Sequence, residues 1–333
     1  MKIIVPMAGM GKRLRPHTLT TPKPLLPIAG KPIVQRLMED IVSISDQKVD
    51  EIAYVVGRFG QEAEDHLKAV AESLGAKGTI HYQDEALGTA HAILCAKSAL
   101  TGPVTVAFAD TLFRADFTLD QSKDGVLWVQ QIEDPRQFGV VVMDDQGVIR
   151  EFVEKPQTYV SNLAMIGIYY FKQGEVLRDE LQYLIDHNIM NSGEYQLPDA
   201  LRNMVNKGMQ FVPGTVQDWM DCGNKAAMVE TNSKYLGYHA QADWVDANTH
   251  LEHAVIIPPC YIGKHVQIKN AVIGPGVSVG DHAVIENAVV KDSIIMDNAK
   301  VSNAVLNQAV IGKFSNVKGS EMNSSLGDYS TWG

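Results

Sequence analysis

Hydrophobic residues follow two alternating patterns over the first two-thirds of the chain. Short apolar runs at Lys2–Val5, Glu51–Gly57 and Val104–Ala109 predict buried strands. Between these runs, apolar residues recur at helical spacing in Gln61–Leu74 and Thr89–Leu100. Strands that alternate with helices predict a largely parallel sheet covered on both faces. Because ligands bind beyond the carboxyl ends of the strands in such sheets, we expect the chemistry in the loops that follow strands.

The same alternation continues to about residue 236. A helix is predicted to open at Pro32, since proline is favourable at a first helical position, where its missing N–H would have no partner. Further strands are predicted at Thr79–Tyr82, Leu127–Ile132, Val140–Met143, Ile149–Val153 and Ala164–Phe171, and further helices at Leu197–Lys207 and Lys225–Leu236.

The pattern changes after about Ala240. Small and turn-forming residues separate β-branched residues that recur near every sixth position, at Ile262, Ile268, Ile273, Val279, Ile285, Ile295 and Val301. A period of six indicates the coils of a β-helix, with these residues pointing into its core. An antiparallel β-domain with frequent turns is the alternative, and the regular spacing favours the β-helix. We therefore expect two domains, residues 1–238 and 239–333.

Composition and charge limit the possible partners. The formal net charge of the 333 residues is −10 and no basic run occurs, which argues against a nucleic-acid partner. No apolar run approaches the ~18 residues of a membrane span, and no signal-peptide core follows the N-terminus. The three cysteines are far apart and form no CxxC pair. We expect a reduced, cytoplasmic protein with no membrane partner.

The first loop carries an unusual concentration of cations for an acidic chain. Small residues let backbone N–H groups approach phosphate oxygens closely, and Lys12, Arg13, Arg15 and Lys23 add positive charge. Two familiar phosphate motifs fail here. A Walker A motif would require an upstream glycine and a Ser or Thr at position 13, and the dinucleotide fingerprint would require glycine in place of Leu14.

The loop and the segment after it together resemble the signature of the sugar-1-phosphate nucleotidyltransferase family. The pattern G-x-G-x-R-L occurs as Gly9–Leu14, and the pattern P-K-P/Q-L-L-P occurs as Pro22–Pro27. Later motifs follow in the family's order through most of residues 1–235. The resemblance implies an α/β fold, with a Rossmann-like mixed-sheet nucleotidyltransferase domain followed by a short left-handed parallel β-helix. It also implies an Mg²⁺-dependent enzyme that joins a nucleoside triphosphate (NTP) to a sugar 1-phosphate and releases pyrophosphate.

The resemblance implies that two segments bind the nucleotide. The glycine loop wraps the triphosphate, Arg13 holds the β- and γ-phosphates, and Lys23 steadies charge at the reacting α-phosphate. Tyr82–Ala90 resembles the Q-x-E-x-L-G-T segment beside the base. Many family members have Thr where this chain has Lys12. The nucleotide-binding residues expected on this basis are Ala8, Gly9, Met10, Gly11, Lys12, Gln83, Gly88 and Thr89.

The resemblance also assigns a sugar site. Glu154, in an E-K-P motif, is expected to bind sugar hydroxyls, and Lys155 to bind the sugar phosphate and assist catalysis with Arg13 and Lys23. Gly139 is expected to contact the sugar ring. Glu194 lies in a segment similar to G-E-x-x-L-T-D, with Pro198 in place of Thr, and is expected to line the sugar pocket.

Two aspartates are expected to hold the magnesium ion. Asp110 follows a buried strand and Asp221 follows a short apolar stretch. Mg²⁺ prefers carboxylate, phosphate and water oxygens. Either aspartate alone would be as well explained as a turn residue. Together they match the two carboxylates of the family's metal site, although Ala109 stands where the family commonly has glycine.

The sequence narrows the substrates without fixing them. The amide of Gln83 can donate to and accept from the edge of uracil or thymine, whereas members that use GTP tend to have an acidic residue there. We expect dTTP or UTP, with glucose 1-phosphate as the favoured acceptor. N-acetylglucosamine-1-phosphate uridylyltransferase and mannose-1-phosphate guanylyltransferase remain alternatives, because Leu87–Ala90 also occurs in the former.

Two alternative functions are less consistent with the sequence, and the β-helix is expected to have a structural role. A non-catalytic NDP-sugar-binding regulator would be marked by loss of a metal aspartate or of Lys23, and these residues are present. A β-helix acyltransferase is disfavoured, because the short repeat leaves few coils and no histidine stands out as a base. The histidines, among them His17, are expected at the surface or in loops. The terminal coil is expected to lack a further partner within the chain, which favours a homo-oligomer. Every motif lies before Gly223, so the β-helix should not be needed for bond making.

Overall fold

The computed structural model describes residues 1–115, 122–242, 244–319 and 325–332. They form two compact units that interleave along the chain. The sheet unit comprises Met1–Gly9 and Leu37–Trp219, and the coil unit comprises Met10–Arg36 and Met220–Gly333. The units thus group residues differently from the division at residue 238, which stays a proposal about separable domains. The cation-rich loop belongs to the same unit as the β-helix.

The elements before the β-helix follow the hydrophobic patterns closely. The helices are α1 (Ile33–Ile44), α2 (Gln61–Ser73), α3 (Thr89–Cys95), α4 (Gly174–Asp186), α5 (Leu197–Asn206) and α6 (Lys225–Tyr238). The strands are β1 (Lys2–Pro6), β2 (Pro27–Ile28), β3 (Lys31–Pro32), β4 (Glu51–Val56), β5 (Lys77–Tyr82), β6 (Val104–Ala107), β7 (Thr111–Arg114), β8 (Gly125–Gln131), β9 (Gly139–Met143), β10 (Ile149–Glu154), β11 (Leu163–Phe171), β12 (Phe211–Thr215) and β13 (Asp218–Asp221).

The main sheet of the sheet unit is mixed. Its strand order is β10-β9-β11-β6-β1-β4-β5, and β8 pairs with β11 and β12. Strand β1 is parallel to β4 and β6, as the alternating pattern predicts, whereas β11 is antiparallel to β6, β8 and β9. The turn between β9 and β10 is too short for a parallel crossover, so these strands form an antiparallel hairpin. The mixed-sheet prediction is confirmed.

A continuous core lies beneath this sheet. Its largest fully buried side chains include Phe152, Phe171 and Phe211. Helices α3, α4 and α5 contribute buried leucine, isoleucine and alanine residues to the same cluster. Because apolar side chains of the strands pack in this core, the ends of the strands, and the polar loops that follow them, have defined positions.

The β-helix begins at His250. Its strands are β14 (His250–Glu252), β15 (Val255–Ile256), β16 (Cys260–Ile262), β17 (Gln267–Lys269), β18 (Val272–Ile273), β19 (Val277–Val279), β20 (Val284–Glu286), β21 (Val289–Lys291), β22 (Ile294–Ile295), β23 (Lys300–Ser302), β24 (Val305–Asn307), β25 (Val310–Ile311), β26 (Asn316–Lys318), β27 (Ser325–Leu326) and β28 (Thr331–Trp332).

These strands stack in three parallel sheets, one for each face of the coil. The sheet orders are β14-β17-β20-β23-β26-β28, β15-β18-β21-β24 and β16-β19-β22-β25-β27. The predicted core residues all lie at 0 to 1% exposure, at Ile262, Ile268, Ile273, Val279, Ile285, Ile295 and Val301. The parallel β-helix is therefore confirmed.

The corners of the coils have left-handed backbone geometry. Asn270, Asn287 and Asn303 occupy one corner at φ of 49°, 48° and 52°. Asparagine tolerates this conformation better than most residues, which explains its repetition. The Asn270 amide donates to Asn287 at 3.1 Å and the Asn287 amide donates to Asn303 at 3.2 Å. This side-chain ladder joins successive coils.

Several elements differ from the sequence-based prediction. Pro32 lies in β3, just before α1, and is not its first helical residue. Helix α4 and strands β7, β12 and β13 were not predicted. Helix α4 has an amphipathic sequence, but charged residues interrupt its apolar positions. Within the described residues, no helix has both the length and the apolar content required to cross a bilayer.

Candidate functional site

The expected base-binding segment follows β5 in the sheet unit. Gln83 is half-buried, and its Nε2 donates to Gly88 O at 3.2 Å and lies 3.1 Å from His91 Nδ1. Arg58 contacts the residues on both sides of Gln83. Its Nε donates to Asp84 Oδ1 at 2.8 Å, and its Cζ lies 4.1 Å from the centroid of the Tyr82 ring. The amide of Gln83 is thus held within an ordered loop.

This segment is joined to the expected sugar segment, although about a hundred residues separate them. The Ala90 amide donates to Tyr195 O at 2.9 Å, and the Tyr195 amide donates to Leu87 O at 2.8 Å. Gly88 has φ of 106°, and a Cβ there would lie 2.4 Å from Tyr195 O and 2.9 Å from Glu194 Cβ. Only glycine fits such a close approach at this φ. Gly88 and Glu194 are therefore neighbours.

The remaining predicted sugar residues lie together on the β9–β10 hairpin. Gly139 pairs with Glu154, and a Cβ at Gly139 would lie 2.7 Å from Glu154 Oε2. Lys155 has φ of 45°, its amide donates to Phe138 O at 3.1 Å, and its Nζ lies 3.8 Å from Glu154 Oε1. Both charged side chains are exposed, so they are accessible to a ligand. The structure brings these predicted residues together.

Asp110 lies in the tight loop between β6 and β7, beyond the carboxyl end of a buried strand. Burial raises the pKa of Tyr169, and the negative charges of Glu154 and Asp110 raise that pKa further. Both carboxylates therefore act on the same tyrosine. Two hydrogen bonds hold the residue after Asp110, Thr111, in place. Its Oγ1 donates to Ile166 O at 2.8 Å and accepts from Trp219 Nε1 at 3.3 Å.

The glycine loop lies mostly in the coil unit. Met10 and Lys12 are exposed, and Gly11 has φ of 58° as the residue that opens a short 3₁₀ turn carrying Lys12–Leu14. In the sheet unit, Ala8 is half-buried and Gly9 is exposed. Leu14 is 1% exposed and anchors the turn, which leaves the side chains of Lys12 and Arg13 at the surface.

The two parts of the signature meet at Gly11. A Cβ at Gly11 would lie 2.9 Å from Lys23 Cβ and 3.0 Å from Thr18 Cγ2. Thr18 Oγ1 also donates to Gly11 O at 2.9 Å. Glycine is therefore required both by its φ and by the close approach of Lys23. The fold holds the expected phosphate-binding glycine directly against the expected catalytic lysine.

Asp221 and Arg13 border the same glycine in the coil unit. A Cβ at Gly223 would lie 2.9 Å from Asp221 Oδ1 and 3.2 Å from Arg13 Nη2. The Gly223 amide donates to Asp221 Oδ1 at 2.9 Å, and Thr231 Oγ1 donates to Asp221 O at 2.6 Å. The expected metal ligand is thus oriented by backbone and by α6, beside the expected phosphate ligand.

The donor set fits a metal that shares its coordination with substrate. Among the described residues, no group of three or more His, Cys, Asp or Glu side chains forms a metal cage. Mg²⁺ characteristically uses one or two carboxylates together with water and substrate phosphates. Asp110, in the sheet unit, and Asp221, in the coil unit, each carry a carboxylate of the kind that suits Mg²⁺ together with substrate phosphates, and their binding of one ion stays a prediction.

His17 corrects one expectation from the sequence. It is 1% exposed, not at the surface, and its Nε2 lies 2.6 Å from Ser325 Oγ in the last coil. Burial lowers the pKa of His17 to about 4, with opposing effects from the charges of Asp328 and Lys225. The terminal coil therefore has a partner within the chain, contrary to the prediction.

Other residues that support the expected site belong to no motif, so the sequence alone does not indicate them. Arg58, Tyr195 and Gln196 support the base and sugar segments, and Gln196 Nε2 donates to Glu194 Oε2 at 2.9 Å. In the coil unit, fully buried Asn232 accepts from the Ala29 amide at 3.0 Å and from Ser278 Oγ at 2.7 Å. Only the fold places these residues beside the motifs.

Comparison with known proteins identifies related chains. The model of a family described as "Nucleotidyl transferase" matches residues 2–237. The chain is 30% identical over 244 residues to the low-salt glycan biosynthesis nucleotidyltransferase Agl11 of Haloferax volcanii, covering 71% of this chain and 66% of that protein. It is 35% identical over 192 residues to the mannose-1-phosphate guanylyltransferase catalytic subunit beta of Drosophila pseudoobscura pseudoobscura, covering 54% of this chain and 50% of that protein.

A solved structure shows the same fold. It is described as UDP-glucose pyrophosphorylase from Acinetobacter baumanii, and it aligns with a TM-score of 0.58 at 21% identity, covering 72% of this chain and 94% of that chain. The present chain spans between half and two-thirds of the length of the two curated relatives above.

Proposed function

Since the chain belongs to the nucleotidyl transferase family, we propose that it transfers a nucleotidyl group from dTTP or UTP to a sugar 1-phosphate, with glucose 1-phosphate as the favoured acceptor. The products are an NDP-sugar and pyrophosphate. The observation that carries this proposal is the junction of Gly88 with Glu194 and Tyr195. It supports the proposal, because the segment expected to bind the base lies beside a segment expected to bind the sugar, as an NDP-sugar requires.

The choice of a pyrimidine rests on Gln83. Uracil and thymine present a carbonyl oxygen and an N3–H, which an amide matches by donating and accepting. Guanine presents two neighbouring donors, which a carboxylate matches better. Gln83 Nε2 donates to Gly88 O at 3.2 Å, a long bond that a pyrimidine carbonyl could replace. The guanylyltransferase relative makes GTP the competing nucleotide.

The proposed chemistry is in-line substitution at the α-phosphorus. An oxygen of the sugar phosphate attacks, the bond to the β-phosphate oxygen breaks, and pyrophosphate leaves. Arg13 neutralises the leaving pyrophosphate, Lys23 the α-phosphate and Lys155 the sugar phosphate, which opposes the repulsion between two polyanions. Mg²⁺, held by Asp110 and Asp221, would supply further positive charge to the phosphates. No protein nucleophile is required.

A substrate panel tests the proposal. Purified protein with Mg²⁺ is incubated with each pairing of dTTP, UTP, GTP or ATP with glucose, N-acetylglucosamine or mannose 1-phosphate, and pyrophosphate release is measured. We expect the highest kcat/KM for a pyrimidine NTP with glucose 1-phosphate. A preference for GTP would overturn the base assignment. Binding of NDP-sugars without pyrophosphate release from any pair would favour a regulatory protein instead.

The Gln83→Glu variant sharpens the base assignment. A carboxylate cannot donate to the carbonyl of a pyrimidine, so the ratio of kcat/KM for UTP to that for GTP should fall. Gln130→Glu, on β8, makes the same chemical change outside the predicted site and serves as the control. An unchanged ratio in Gln83→Glu would remove Gln83 from base selection.

We also propose that the protein is a cytoplasmic homo-oligomer. One face of the β-helix exposes Val255, Val289 and Val305, with 55%, 44% and 43% of each residue accessible. An apolar stripe of this kind favours association with a second copy. Light scattering should give a mass above that of one chain, and Val289→Asp should lower it. A monomeric wild type would contradict the proposal.

A further inference from the structure

The segment Pro16–Thr20, which lies between the two signature motifs, is in direct contact with the last coil of the β-helix. His17 Nε2 lies 2.6 Å from Ser325 Oγ, and Thr20 Oγ1 donates to Asp328 Oδ2. The partners are 308 residues apart in sequence. Ser325 is in β27, and Asp328 is at the corner after it. Both contacts lie within the coil unit.

The loop takes a position that a neighbouring coil takes elsewhere in the stack. At the same corner of earlier coils, a Cβ on Gly263 would lie 2.4 Å from Asp281 Oδ1, and a Cβ on Gly280 would lie 2.4 Å from Asp297 Oδ1. The aspartate of the next coil is the close neighbour in each case. At Gly327 the close neighbour is Pro16, with its Cβ 2.9 Å away. Pro16 thus covers the terminal coil.

A short path leads from this contact to the expected phosphate-binding groups. Thr18, between His17 and Thr20, donates to Gly11 O at 2.9 Å. Gly11 opens the turn that carries Arg13 and lies against Lys23. A shift of the segment at Pro16–Thr20 would therefore move the Gly11 turn, and with it the groups expected to contact the triphosphate.

We propose that Ser325 and Asp328 of the β-helix are positioning residues for NTP binding. They hold the segment Pro16–Thr20, which holds Gly11 through Thr18, so that Arg13 and the loop amides face the triphosphate in one geometry. This inference rests on the proposed function. The prediction that the β-helix is not needed for bond making stays a prediction, and this inference adds a role of the last coil in NTP binding.

Matched variants of the full chain test the proposal. Asp328 Oδ1 accepts from the Lys313 amide at 2.7 Å, and Asp297 Oδ1 accepts from the Asp281 amide at 3.1 Å. Asp328→Ala and Asp297→Ala therefore remove the same support from a coil, but only Asp328 also binds Thr20. Thr20→Val removes the loop hydroxyl without touching the coil, and Thr20→Ser retains that hydroxyl as the conservative control.

The readout separates positioning from folding. We expect Asp328→Ala and Thr20→Val each to raise KM for the NTP roughly tenfold, the effect of losing one hydrogen bond to a charged group, with KM for the sugar phosphate changed less than twofold. Thr20→Ser should remain near wild type. Asp297→Ala should lower the melting temperature as much as Asp328→Ala does, while its KM values stay near wild type.

Two results would overturn the proposal. One is an equal KM for NTP in Asp328→Ala and Asp297→Ala, and the other is a wild-type KM in Thr20→Val. If Asp328→Ala unfolds the chain, Thr20→Val still decides, because its change lies outside the β-helix. Binding of inorganic pyrophosphate by calorimetry is measured in parallel. Its weakening in Asp328→Ala supports the positioning role even if the substrate panel shows no turnover, so the two proposals fail separately.

Discussion

The sheet unit and the coil unit support their candidate residues in different ways. In the sheet unit, Gly88 meets Tyr195 through a close glycine contact, and Gly139 meets Glu154 through strand pairing and a second close contact. In the coil unit, Arg13 and Lys23 lie on short 3₁₀ turns with little regular structure of their own. Residues next to those turns, Ala29 and His17, form hydrogen bonds with α6 and with the β-helix.

The difference shows which parts of a site can be formed locally. A hairpin such as β9–β10 positions Gly139 and Lys155 through pairing that its own sequence determines. Gly9–Leu14 is in no strand, and the segments that follow it along the chain contact distant residues, His17 with Ser325 and Ala29 with Asn232. We therefore expect the two units to respond differently to mutation. Changes in the sheet unit should affect the base and sugar, and changes in the coil unit should affect the triphosphate.

The largest expected effect concerns the two proposed metal ligands, one in each unit. Asp110→Asn and Asp221→Asn should each lower kcat roughly 100-fold or more, because loss of charge stabilisation in the transition state is costly. Folding should change little, since an asparagine at position 221 can still accept from the Gly223 amide. Initial rates at limiting Mg²⁺ provide the measurement. Asp297→Asn is the control, and near-normal turnover in both site variants would refute the metal assignment.

A smaller effect is expected from Gly88→Ala. The new Cβ would meet backbone atoms of Tyr195 at 2.4 Å and 2.8 Å, and backbone cannot move aside as a side chain can. We expect stability to fall by about 1–3 kcal/mol, the typical cost of overpacking, and kcat/KM to fall as well. Gly60→Ala, at a φ of 90° with open space around it, controls for the backbone conformation alone. Equal effects in the two variants would mean that the approach of Tyr195 is unimportant.

The third prediction concerns the pH dependence of the coil unit. Burial lowers the pKa of His17 to about 4 from 6.5, so the unfolded chain binds more protons between these values and stability must rise with pH in this window. The contribution is fully present above pH 6.5 and is lost as the pH falls to 4. It amounts to about 3 kcal/mol at most.

Urea unfolding at several pH values measures this contribution. The His17→Gln variant lacks the titrating group and should show a flatter pH dependence than wild type between pH 4 and 6.5. His187→Gln, which changes an exposed histidine of the sheet unit, serves as the control. Parallel curves for wild type and His17→Gln would show that His17 is not buried as a neutral ring.

The sequence predicts the regular elements of both units better than the long-range contacts between those elements and the loops, for physical reasons. Hydrophobic periodicity is local, so most strands and helices, and the buried positions of the β-helix, follow from spacing of a few residues. The signature loop is recognised from its motif, but its support is not, because the contact of His17 with Ser325 spans 308 residues. Nothing near His17 indicates that it is buried. Helix α4 was not predicted, although Leu177, Leu181 and Leu184 recur at helical spacing.

The KM values of two variants test most directly whether the coil unit binds the NTP and the sheet unit binds the sugar phosphate. Arg13→Ala removes an expected phosphate ligand from the coil unit, and Lys155→Ala removes an expected sugar-phosphate ligand from the sheet unit. We predict that Arg13→Ala raises KM for the NTP roughly tenfold or more with a small effect on the sugar phosphate, and that Lys155→Ala does the reverse, since each charge faces one substrate. If both variants raise the same KM, or each raises both equally, the proposed division of roles between the two units is wrong.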